Sequence, residues 1–152
     1  MSTFDHAGLI QGINESLASF RKAQPDTMRG FAQLAQASMA EGALSSKHKE
    51  LIALAIGVTQ RCSGCIGFHV KALQKLGTTR TELEEMLAVC VYMGGGPALM
   101  YTAEALTAWD TLAADNAMTE LRVTREGAEG RRLGHRWRRH RLDRRQLPRI
   151  RH

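Results

Sequence analysis

Aromatic residues make up only 5% of this 152-residue chain, prolines and cysteines number three each, and nowhere do apolar and polar residues alternate over the length of a strand. Each shortage excludes something. A sheet needs β-branched and aromatic runs that fit a pleated surface. With those missing and helix formers plentiful, the expected class is all-α. Three cysteines are too few for a disulfide scaffold, and in a reducing compartment a close pair points to catalysis or metal. The N-terminus lacks the basic start and apolar run of a secretory leader. No segment reaches the roughly 18 uninterrupted apolar residues that span a bilayer. The expected location is the cytoplasm, with no membrane partner.

What is present is enough for one domain, since 43% of the residues are hydrophobic. The formal charge of +6 is unevenly spread. Residues 1–120 carry 9 Lys and Arg against 12 Asp and Glu, whereas residues 121–152 carry 12 Arg against 3 acids. The domain is therefore mildly acidic and only the tail is basic. That tail could touch phosphates, but it has only Trp137 for stacking and no recognisable module, so nucleic acid is not the expected partner.

Apolar spacing predicts six helices in a single domain over residues 1–120. Leu9, Ile10, Ile13, Leu17 and Phe20 mark the first, and Pro25 separates it from a second that Asp26 can cap and Gly42 stops. Ser45 or Ser46 opens a third, largely apolar after Glu50. A short break near residues 60–64 leads to a fourth that ends at Gly77. Thr79 and Glu82 fit a capping box at the start of the fifth. Gly94-Gly95-Gly96-Pro97 reads as a turn between helices, with a sixth from Ala98 to Leu112. Residues 121–152 are expected to form a flexible, arginine-rich tail.

The chemistry concentrates at Cys62-Ser63-Gly64-Cys65, placed where the fourth helix begins. Unpaired N–H groups and the positive end of the helix dipole favour an anion there, and a thiolate is one. His69 follows Cys65 by four residues, one turn along the same face. If the third and fourth helices form an antiparallel hairpin, Glu50 and His69 lie nearly equidistant from the turn and face each other. A relay Glu50–His69–Cys65 follows, a base oriented by a carboxylate and acting on a thiol. Glu50 could alternatively be a surface charge in a first helical turn.

In order, Glu50-Leu51-Ile52, Cys62-x-x-Cys65-x-x-x-His69, Gly77-Thr78 and Gly94-Gly95-Gly96-Pro97 resemble the carboxymuconolactone decarboxylase and alkylhydroperoxidase D family over about residues 27–113. The resemblance implies an all-helical domain that forms homo-trimers or homo-hexamers. It also implies a peroxidatic Cys65, a resolving Cys62, and Glu50 with His69 as the proton relay. The peroxidase branch usually has a histidine between the cysteines, where this chain has Ser63 and Gly64. The decarboxylase branch typically lacks the cysteine pair.

The leading expectation is thus a thiol-dependent peroxidase or disulfide oxidoreductase, taking a hydroperoxide or disulfide as substrate and reduced by a thiol donor that the sequence does not name. The alternatives are an acid–base enzyme that uses His69 and Glu50 on a lactone or keto acid, and a basic-tailed binding protein without activity. No metal and no cofactor are expected. Zinc would need His48 or water beside Cys62, Cys65 and His69. Haem attachment needs a histidine where Ile66 stands, and the glycine run lacks the lysine of a phosphate loop. Cys90 reads as a small buried hydrophobe, and His6 and His48 as solvated or capping residues.

Overall fold

The computed structural model describes residues 4–139 and is helical throughout, with no strand among the described residues. Five helices follow in order: α1 (His6–Ala23), α2 (Pro25–Met39), α3 (Ser46–Thr59), α4 (Ser63–Lys75) and α5 (Arg80–Arg139). Contacts divide the chain into two compact units, Met1–Asp115 and Asn116–His152. The first unit contains the core and the candidate site.

Local chemistry sets the boundaries. The Asp5 carboxylate accepts the Gly8 N–H at 2.9 Å and opens α1. Pro25 occupies the first turn of α2, where its missing N–H costs nothing. Ser45 caps α3 by accepting the His48 N–H at 3.3 Å. At the start of α5 the Thr79 N–H donates to Glu82 Oε2 at 2.8 Å and the Glu82 N–H donates to Thr79 Oγ1 at 3.2 Å, the capping box expected from sequence. Glu82 also accepts from Lys47 Nζ at 2.6 Å, which ties α5 to α3. That bond, aided by the one from Thr79, holds the Glu82 carboxyl at about 2.

The element Arg80–Arg139 is two helical stretches joined at a kink, so the expected turn at the glycine run and the helix beyond it are both present. Only Gly95 leaves helical geometry, with φ 60° and ψ −148°, a region open to glycine and closed to side chains. Helix resumes at once because Pro97 sits where no N–H partner is needed. The break still reverses the chain. Arg80 and Asp110, equidistant from Gly95, meet at 2.5 Å, so the stretches on either side run antiparallel. The region expected to be a tail is described only to Arg139, still helical there.

The core consists of Leu54 and Val58 from α3, Ile66, Val70 and Leu73 from α4, and Leu83, Leu87, Cys90, Ala98, Ala105, Ala108 and Leu112 from α5. Ile10 of α1 completes it. Each large aliphatic side chain so buried contributes about 1.5–3 kcal/mol. Alanines dominate the second stretch of α5, which lets it approach its neighbours closely. Over Arg80–Thr124 this helix has an 18-residue window of mean hydropathy 1.3, enough by length and composition alone to cross a membrane.

Candidate functional site

The site is built on the α3–α4 hairpin. Helix α3 ends in a Schellman motif: the Arg61 N–H donates to Val58 O at 3.2 Å and the Cys62 N–H to Gly57 O at 3.0 Å. Arg61 is left-handed, with φ 58°, and this sharp reversal delivers Cys62 as the N-cap of α4. The next helix then starts without a linker, as the Ile66 N–H donates to Cys62 O at 2.9 Å.

Cys62 and Cys65 are joined by a disulfide, with their Cα atoms 5.2 Å apart. Cys62 Sγ also takes the capping position usually filled by Ser or Asp, accepting the Cys65 N–H at 3.2 Å. Both cysteines are half-buried. One turn beyond, His69 Nδ1 lies 2.7 Å from Glu50 Oε2. The antiparallel register read from the sequence thus brings these two side chains together. With a carboxylate partner at Nδ1, a neutral imidazole would carry its proton there and keep Nε2 as its acceptor.

Two faces of α4 are used. The Cys65 and His69 side meets α3, where Gly57 makes the approach possible: a Cβ on Gly57 would lie 3.2 Å from the Cys65 Cβ. The Gly64 and Gly67 side meets α1, where added Cβ atoms would lie 3.0 Å from Ile13 Cδ1 and 3.1 Å from Ile10 Cδ1. Gly57 was not singled out from sequence. Its signal was a glycine inside an apolar helix, which is destabilising unless something packs against it.

His48 pairs with Ser45, its Nδ1 2.8 Å from Ser45 Oγ, at the first turn of α3. Among the described residues no group of three or more His, Cys, Asp or Glu is arranged to hold a metal ion. Cys90 is buried, and that burial pushes its thiol pKa up; its sulfur lies 3.5 Å from Met86 Sδ. The reading of His6 as solvated or capping is corrected. It is fully buried, its ring lies tilted against that of Phe4 with centroids 4.7 Å apart, and it sits 3.8 Å from Glu104. Its partner lies nearly a hundred residues away, out of reach of any local pattern.

Comparison with known proteins gives a consistent result. The model of the carboxymuconolactone decarboxylase family matches residues 25–108. An uncharacterised protein of Cupriavidus necator is 38% identical over 110 residues, which cover 72% of this chain and 97% of that one. The crystal structure of a carboxymuconolactone decarboxylase family protein from Legionella pneumophila, in its apo form, superposes with a TM-score of 0.69 at 53% identity, covering 70% of this chain and 95% of its own. A protein of the same family from Thermotoga maritima, with a suggested part in the antioxidative response, superposes with a TM-score of 0.64 over 73% of this chain and 95% of its own; at 22% identity this likeness is one of fold.

Proposed function

The chain belongs to the carboxymuconolactone decarboxylase family, and from that premise we propose that it is a thiol-dependent oxidoreductase that reduces hydroperoxides or disulfides by cycling the Cys62–Cys65 pair. The observation that carries the reading is a bonded cysteine pair at the first turn of a helix, with a carboxylate-oriented histidine one turn further along. Neither a packing role nor a lone acid–base pair calls for both features together.

In the cycle, His69 Nε2 takes the Cys65 proton while Glu50 holds the imidazole through Nδ1. The Cys65 thiolate attacks the peroxide oxygen, the O–O bond breaks, and the alcohol leaves after receiving a proton, so that Cys65 becomes a sulfenic acid. The Cys62 thiol then attacks Cys65 sulfur and expels water, forming the disulfide. Two equivalents of a donor thiol restore the dithiol and leave as the donor disulfide. Both cysteines are only half-buried, which fits access by such a donor.

Exposed apolar side chains fit a homo-trimer or homo-hexamer. Phe31 and Leu34 of α2 are 67% and 64% exposed in the single chain, and Tyr92 and Met93 of α5 lie bare as well. Copies of this chain would cover them.

The test is a thiol count. Reduced protein given one equivalent of hydroperoxide should lose two thiols, with mass spectrometry placing the link between Cys62 and Cys65 and leaving Cys90 unmodified. No thiol loss, or a link through Cys90, would contradict the proposal. An activity on a lactone or keto acid that survives replacement of both Cys62 and Cys65 by Ser would favour the acid–base alternative.

A further inference from the structure

Two helices of this protein end in the same backbone device and fill its key position differently. At the end of α4, the Gly77 N–H donates to Gln74 O at 3.2 Å and the Thr78 N–H to Leu73 O at 3.1 Å, with Gly77 at φ 69°. At the end of α3 the same pair of bonds forms around Arg61 at φ 58°. This conformation strains an L-residue and suits glycine, which is why glycine prevails there. Arg61 is the only non-glycine residue with positive φ among the described residues.

The arginine therefore stands where the fold would be served better by glycine. Its side chain is exposed and forms no ion pair among the described residues, so packing does not account for it either. What distinguishes it from Gly77 is its neighbour, because Arg61 immediately precedes Cys62. Between Glu50, whose carboxylate is bonded to His69, and Lys71, Arg61 is also the one Lys, Arg, Asp or Glu in the sequence.

We propose that Arg61 is a specificity-determining residue that selects an anionic reducing partner, a thiol bearing a carboxylate, for the Cys62–Cys65 disulfide. This rests on the redox reading above and deepens it by naming the class of donor. One donor thiolate attacks a sulfur of the pair and the other sulfur leaves as a thiolate. A second donor thiol then cleaves the mixed disulfide, so that two donor thiols are oxidised to one disulfide and the protein gains two thiols. The guanidinium acts on the approach of the donor's carboxylate, not on the bond exchange itself.

The experiment measures how fast the oxidised full-length protein is reduced by 3-mercaptopropionate, which is anionic, and by 2-mercaptoethanol, which is neutral. Free thiols are trapped by alkylation in the parent, Arg61→Gly and Arg61→Lys proteins. Arg61→Gly should slow 3-mercaptopropionate by roughly 3- to 10-fold, the effect of one exposed charge at a few ångströms in water, and leave 2-mercaptoethanol nearly unchanged. Its Tm should rise as the strain is released. Arg61→Lys should keep the parent preference, and high salt should erase that preference in the parent. Equal changes for both thiols, or none, would overturn the role of Arg61 while leaving the redox reading intact. Failure of both thiols to reduce the parent disulfide would overturn both.

Discussion

Helices α4 and α2 are nearly equal in length, 13 and 15 residues, and both are amphipathic, yet they are embedded very differently. Helix α4 buries Ile66, Gly67, Val70 and Leu73 between α1, α3 and α5, whereas α2 buries no residue at all. Its link to α3 is a cap, since Lys49 Nζ donates to Ser38 O at 3.0 Å and to Ala40 O at 2.5 Å. The contrast separates the helices buried within the single chain from one that is left exposed on it. The cysteine pair, His69 and Glu50 all belong to the former.

The contrast is broken most severely in the core. Leu73→Ala should cost about 2–5 kcal/mol, the usual effect of emptying a fully buried leucine site, and chemical denaturation with a two-state fit would measure it. Phe31→Ser on α2 should change the stability of the isolated fold by less than about 0.5 kcal/mol, as for exposed positions generally. It should instead lower the mass seen by sedimentation. If Phe31→Ser unfolds the chain while the mass stays constant, α2 belongs with the core and the contrast is false.

A smaller effect is expected at the reversal in α5. Gly95→Ala places a side chain in a region only glycine occupies freely and should cost about 1–3 kcal/mol, read as a lowered denaturation midpoint. An unchanged midpoint would mean the reversal can relax into an ordinary helical geometry.

The smallest effect concerns α1 and pH. Burial pushes His6 below its ordinary value of 6.5, against the opposing pull of Glu104 and Asp5. The unfolded chain therefore binds a proton that the folded chain resists. The stability contributed by neutral His6 is complete above 6.5 and is lost as pH falls through the lower folded value. Thermal melts between about pH 5 and pH 7 should show this slope in the parent and a flatter one in His6→Leu. A parent curve no steeper than that of the variant would contradict the assignment.

Much of this was legible in the sequence because it is local. Ser45, the Thr79–Glu82 box and Gly77 each act within a few residues, and apolar spacing placed α1, α3 and α4 within a turn of where they lie. The approach of Glu50 to His69 was also readable, since a tight hairpin converts distance from the turn into contact. His6 was misread because Glu104 arrives from the far end of the fold. The turn at Arg61 was invisible because sequence signals for that conformation rely on glycine. The reversal at Gly95 was expected, but not that helix would resume directly after one residue.

That Cys65 is made reactive by His69 and Glu50 is tested most directly by the pH dependence of its alkylation with iodoacetamide in the reduced protein. Four forms are compared: parent, His69→Ala, Glu50→Gln and the double variant. Each single replacement should lower the neutral-pH rate by roughly 10²- to 10⁴-fold where proton transfer limits, and move the profile to higher pH. The double variant should be scarcely slower than either single one, because coupled groups are not additive. A Glu50→Gln profile that coincides with the parent would show that the 2.7 Å contact between Glu50 and His69 does no more than hold the hairpin together.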